Sequence, residues 1–177
     1  MIIIIDNGTG AQEISRFLKT KNTVMPPKDA LKAKATGYIF SDGDPKNMEA
    51  NLDILDKADV PVLGIGAGGL FIGAAYEAEV KPIKLPKTDT LMIKKPCPLT
   101  LDMKKTIAVA ASCSYGFSSV PENFNVIASS HANPFAMLQE AENPFFAVCF
   151  NPELGMEGRM ILGNFEKFVE VWKEYHK

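Results

Sequence analysis

The sequence predicts a three-layer α/β fold: a mostly parallel open sheet with helices on both faces, plus a small antiparallel β extension. Three observations carry this. Met1–Asp6 opens the chain with an unbroken isoleucine run, as in a strand covered on both faces. Up to Glu79, short apolar runs alternate with stretches of helical periodicity, the pattern of βαβ units with right-handed crossovers. Val62-Leu63-Gly64-Ile65-Gly66-Ala67-Gly68-Gly69-Leu70 then passes from an apolar run into clustered glycines and a new apolar segment. It reads as buried strand, tight turn and helix start.

Each element follows in order. After the first strand, Asn7-Gly8-Thr9-Gly10 is a turn, and Ala11–Lys19 places Ile14, Phe17 and Leu18 at helical spacing. Thr23–Met25 is a short strand stopped by Pro26-Pro27, and Asp29–Lys34 a weak helix. Gly37–Ser41 is a third strand, closed by Asp42-Gly43-Asp44-Pro45, which reads as an exposed turn. Asn47–Lys57 is helical through Leu52, Ile54 and Leu55; Val62–Ile65 is the fourth strand and Gly69–Tyr76 the helix behind the turn.

Beyond Glu79 the alternation gives way to short β-like segments punctuated by prolines: Val80–Lys84, Leu91–Ile93, Thr106–Ala111, Asn125–Ser130 and Ala136–Glu140. Phe145–Phe150 is again an apolar strand. Gly158–Lys173 closes the chain as an amphipathic helix with Ile161, Leu162, Phe165, Phe168, Val169 and Trp172 on one side. With no repeat, linker or low-complexity tract, residues 1–177 read as one domain.

Composition excludes several classes. A net charge of −2 gives no electrostatic reason to expect nucleic acid or an anionic membrane as partner. The apolar stretches fall short of a membrane span, and Met1–Ile5 lacks the basic flank of a signal peptide. Cys97, Cys113 and Cys149 form neither a disulfide framework nor a zinc pattern, which points to the reducing cytoplasm and to no metal. Cys97, between two prolines, reads as a loop residue. His131 reads as a solvated turn residue and His176 as a solvated terminal one.

A strand–turn–helix of the Val62–Leu70 kind often raises a nucleophile at the C-terminal edge of a sheet, in front of helix N-terminal amides. Here Gly66 and Ala67 occupy the apex, and neither can attack a substrate.

Four landmarks in order resemble the class I glutamine amidotransferase domain, nearest to the free-standing glutaminase subunit of archaeal-type GMP synthase. They are Asp6-Asn7-Gly8 after the first strand, Ile39–Pro45 in place of the Ser-Gly-Gly-Pro loop, Val62–Gly68 in place of the Pro-Val-Leu-Gly-Ile-Cys-x-Gly elbow, and Ala147-Val148-Cys149-Phe150-Asn151-Pro152-Glu153 in place of Gly-Val-Gln-Phe-His-Pro-Glu. Asn164-Phe165 fits the last helix. The resemblance covers nearly the whole chain and implies a flavodoxin-like arrangement of the sheet.

It also implies a chemistry: a cysteine attacks the glutamine amide, a histidine moves the proton, a glutamate orients the histidine, and two backbone N–H groups hold the oxyanion. Carried over by position, the cysteine falls on Gly66, the histidine on Asn151 and the glutamate on Glu153. The oxyanion donors fall on Ala67 and on the loop at Asp42-Gly43, with Gly43 as the second donor. Glycine and asparagine can be neither nucleophile nor base, so the resemblance implies a glutaminase scaffold without its reaction, Glu153 pairing locally.

Three functions follow as expectations. The first is a non-catalytic subunit that docks on a GMP synthase-type synthetase. The second is a glutaminase whose nucleophile has moved to Cys113, near the family's Ser-His-x-Asp stretch, or to Cys149. The third is a binding module that holds a small molecule such as glutamine in the emptied pocket. None calls for a cofactor.

Overall fold

In the computed structural model, which describes residues 1–176, the chain runs β1 (Ile2–Ile5), β2 (Gly8–Thr9), α1 (Ala11–Phe17), β3 (Asn22–Met25), α2 (Pro27–Ala30), β4 (Gly37–Phe40) and β5 (Asp42–Gly43). It continues through α3 (Met48–Asp56), β6 (Val62–Ile65), α4 (Ala67–Ala75), β7 (Val80–Pro82), β8 (Thr88–Ile93), β9 (Thr106–Ala110) and β10 (Tyr115–Phe117). β11 (Phe124–Ser129), β12 (Met137–Glu140), β13 (Phe145–Val148) and α5 (Gly158–Tyr175) complete it.

Nine strands form one sheet in the order β3-β1-β4-β6-β13-β12-β11-β8-β9. The first five are parallel, and the rest join antiparallel through β12. The expected extension therefore continues the main sheet. Two small antiparallel pairs stand apart, β7 with β10 and β2 with β5.

The isoleucine run explains the layering. Successive strand residues face opposite sides: Ile2 and Ile4 pack with Ile14, Ile161, Leu162 and Phe165, whereas Ile3 and Ile5 pack with Ala30, Ile54, Leu55 and Ile72. Helices α1 and α5 thus cover one face, and α2, α3 and α4 the other.

Several boundaries differ from expectation for local reasons. The second helix is Pro27–Ala30 and not Asp29–Lys34, because Pro27 takes the first helical position, where a missing N–H costs nothing. β8 begins at Thr88, pairing with Ala110, where the sequence pattern starts only at Leu91. β10 lacks a pattern of its own and exists through its pairing with β7. Cys97 is buried, and it precedes a single 3-10 turn, Pro98–Thr100.

Helix α4 is the one that positions the site, and it lies unusually close to the sheet. A Cβ on Gly68 would run into the backbone carbonyl of Phe40 at the end of β4, and one on Gly69 would sit 3.1 Å from the carbonyl oxygens of Gly64 and Val148. Glycine here serves close approach. Gly163 in α5 is the opposite case, with nothing within 4 Å of an added Cβ. Gly68→Ala is therefore expected to lower stability by about 1–3 kcal/mol through overpacking. Gly163→Ala is expected to raise it by about 0.5–1 kcal/mol. Urea unfolding of the two variants checks both signs.

Candidate active site at the C-terminal edge of the sheet

β6 lies between β4 and β13, parallel to both, so three strand ends open onto one edge. The chain leaves β6 through Gly66, with φ 54° and ψ −119°, a conformation that strains any residue with a side chain. The Gly66 N–H donates to the Val148 carbonyl at 2.9 Å, and its own carbonyl accepts the first α4 bond from Leu70 at 3.1 Å. This turn lets α4 begin at Ala67, two residues before the start expected at Gly69.

The loop after β4 is fixed from below. The Asn7 N–H donates to Ser41 Oγ at 3.0 Å, and Asn7 Nδ2 donates to the Ser41 carbonyl at 3.0 Å. Asn7 and Asn51 exchange amide bonds, at 3.1 Å and 2.8 Å, and both are buried. The Asp44 N–H donates to the Asn7 carbonyl at 2.9 Å.

Asp42, expected in an exposed turn, is instead half-buried and turned inward. Its Oδ1 accepts the Ala67 N–H at 2.8 Å and the Gly43 N–H at 2.9 Å. These are the two amides singled out from the sequence, and they converge on one oxygen. A Cβ placed on Gly66 would fall on the Asp42 carboxylate. That carboxylate also faces the positive end of α4, which favours a negative charge.

Asn151 is wholly buried on the other side of the elbow. Its Oδ1 accepts from the Ser112 N–H at 2.8 Å, the Ser112 hydroxyl at 2.9 Å and the Cys113 thiol at 3.6 Å. Its Nδ2 donates to Glu153 Oε1 at 3.1 Å and to Asp42 Oδ2 at 3.3 Å. A backbone N–H can only donate, so the Ser112 amide fixes which end of Asn151 is oxygen, and the NH2 end meets two carboxyl groups.

Glu153 is buried beside Gly10, and its Oε2 has no hydrogen-bond partner among the described residues. Burial raises its carboxyl above the ordinary value of 4.5, outweighing the Asn151 bond that lowers it, with the Asp42 charge raising it further. Cys149 is buried, and burial pushes its thiol up to about 12. Burial, then the Asp42 charge, raises Cys113 well above its ordinary value. His131 and His176 are exposed.

A cleft of about 890 Å³ opens in front of the elbow, lined among others by Asp6, Asp42, Ala67, Phe71, Cys113 and Tyr115. Phe71 walls this cleft without filling it. Tyr76 points elsewhere, packing edge-on against Phe124. Among the described residues no group of three His, Cys, Asp or Glu could hold a metal ion, and no helix is long and apolar enough to cross a membrane.

Sequence reasoning placed Gly66, Ala67, Gly43, Asn151 and Glu153 around one point, and the fold brings them there. It missed the inward turn of Asp42 and the Asn7–Asn51 pair behind it. The Asp-Gly dipeptide signalled only a turn.

A parallel sheet with an amide-lined strand–turn–helix at its C-terminal edge belongs to a class of α/β proteins built to receive a ligand at that edge. The family model for class I glutamine amidotransferases matches residues 3–169, and the chain belongs to that family. It is 29% identical to a glutamine-hydrolyzing GMP synthase subunit of Pyrococcus abyssi, over 94% of this chain and 97% of that protein. It is 30% identical to the glutamine-hydrolyzing GMP synthase of Campylobacter lari over 97% of this chain, but spans only 37% of that longer protein. The fold matches a crystal structure from Thermoplasma acidophilum with a TM-score of 0.89 at 22% identity, covering 98% of this chain and 96% of the other.

The raised Glu153 carboxyl has a measurable consequence. A group that holds its proton more tightly folded than unfolded contributes fully below its unfolded pKa, near 4.5, and loses that contribution as pH rises through the raised folded value. Relative to Glu153→Gln, the wild type is expected to lose stability as pH rises through and above the ordinary carboxylate range. Urea midpoints of both proteins across pH check this, and parallel profiles would refute it.

Proposed function

We propose that this chain is a non-catalytic glutamine amidotransferase-like subunit, related to the glutaminase part of GMP synthase, that retains the fold and a surface for a synthetase. The observation that carries this reading is the pairing at the elbow of Gly66, which has no side chain, with Asn151, whose amide is bonded at both ends. Neither can attack an amide carbon or accept a proton near neutral pH. Losing one member of such a catalytic set already costs orders of magnitude in rate.

The environments of Cys113 and Cys149 support the same reading over a relocated nucleophile. Both thiols are buried and held protonated, and the nucleophile is the thiolate. The side chain to which the Cys113 thiol donates is an amide, which activates nothing.

The synthetase partner rests on the relatives named GMP synthase, in which this chain's equivalent is either a separate subunit or about a third of a longer protein. The cytoplasm is the compartment that suits three free, buried cysteines. A second reading has one observation of its own: the cleft stays open, so a small molecule such as glutamine has room there.

Glutamine-dependent ammonia release is expected to stay at the blank level for the chain alone and with the synthetase of the same organism added. Calorimetric titration of the two is expected to show saturable binding. Release that alkylation abolishes would overturn the non-catalytic reading, and absence of heat at high protein concentration would overturn the partner. A rise in melting temperature with glutamine would favour the binding module.

A further inference from the structure

The elbow has the two converging amides of an anion site, and a carboxylate of this same chain already sits in it. Asp42 Oδ1 takes the N–H of Ala67, the first residue of α4, and the N–H of Gly43. Asp42 Oδ2 takes an amide hydrogen from Asn151. The space that a side chain at position 66 would need is the space the carboxylate fills. The Ala67 and Gly43 amides, which would hold an oxygen from outside, are therefore engaged from inside.

We propose that Asp42 is an internal ligand: it plugs a preorganised two-amide anion seat, and it excludes external carboxylates and amide carbonyls from the elbow while the rest of the cleft stays open. This deepens the reading of the chain as a scaffold without its reaction, and rests on it. Three features make the plug persistent. The loop carrying Asp42 is held by Ser41 and by the buried Asn7–Asn51 pair, so the carboxylate is delivered without a separate ordering cost. Two N–H donors converge on the same carboxyl oxygen, an arrangement that favours the carboxylate as acceptor. An external carboxylate would have to displace a covalently tethered one, whose effective concentration far exceeds that of a free solute. A ligand entering the cleft is thus kept from the two amides and left with the rest of its lining, which includes the exposed Met48, Val80 and Tyr115.

The plug is reversible by substitution. Asp42→Gly removes the carboxylate and leaves the Ala67 N–H pointing into open space; Asp42→Ala does the same if glycine loosens the loop. Asp42→Asn keeps an acceptor oxygen of the same shape without the charge. The amide resonances of Ala67 and Gly43 are followed by nitrogen-15 NMR while acetate is added.

Both resonances are expected to stay unmoved in the wild type and in Asp42→Asn, and the Ala67 resonance to shift saturably in Asp42→Gly or Asp42→Ala. Saturable movement of Ala67 in the wild type would overturn the proposal. So would a folded Asp42→Gly or Asp42→Ala that binds no acetate, or an Asp42→Asn that binds it equally well.

A second measurement reads occupancy without any ligand. Gly66→Ala is expected to be less destabilising on the Asp42→Gly background than on the wild type, and additive effects would count against the plug. Neither experiment depends on ammonia release or on a synthetase, so the plug and the proposed function can fail separately.

Discussion

The close contact of helix α4 with strands β4 and β6 is the constraint on which the rest of the edge depends. With no Cβ at Gly68, the helix backbone lies directly against the Phe40 carbonyl at the end of β4. A helix pressed this tightly has no slack along its axis, because packed interiors are as dense as organic crystals. The N–H of Ala67 is consequently fixed relative to the end of β4, two residues before Asp42. The loop 41–44 and the start of α4 thus act as one rigid unit, and what bridges them is the carboxylate.

The polar groups beneath the elbow obey a second constraint, that buried donors and acceptors be matched. Position 151 has an obligate donor on one side, the Ser112 N–H, beside the Ser112 hydroxyl, and carboxyl groups on the other, Asp42 and Glu153. A primary amide fits that environment at both ends without carrying charge. A carboxylate would set three acids together, and an aliphatic residue would orphan the Ser112 N–H at a cost of about 1–3 kcal/mol. Glu153 departs from matching: one oxygen has no partner among the described residues, and burial raises its carboxyl pKa, which favours the neutral acid there. A protonated acid is far cheaper to bury than an unpaired carboxylate.

The fold was legible because its information is local. The Ile2–Ile5 run, the helical spacing in α5 and the glycines after β6 each announce their element within a few residues. The boundaries moved where a backbone effect decided them, at Pro27 and at Gly66. The site was legible only where backbone or neighbours in sequence determine it: the elbow at Gly66, the Ala67 amide, and the Asn151–Glu153 pair two residues apart. Asp42 was not. Its direction is set by pairing of β5 with β2, by the Asn7–Ser41 bond and by the Asn7–Asn51 lock, the last two spanning 34 and 44 positions along the chain. Nothing in Asp-Gly-Asp-Pro distinguishes an inward from an outward carboxylate, so turn chemistry alone gave the wrong side.

Gly66 and Asp42 are best understood as one feature. The glycine is needed twice over, once for its positive φ and once because the carboxylate occupies the place of its missing side chain. The carboxylate in turn is tolerated in a half-buried position because two amides, a helix N-terminus and the Asn151 NH2 surround it with positive potential. Removing the carboxylate alone would leave the Ala67 amide to water or to a foreign anion. Adding a side chain at position 66 alone would force the carboxylate out of the amides and strain the turn. Each position therefore holds the other in place, and the anion-binding geometry of the elbow persists because the chain supplies the anion itself.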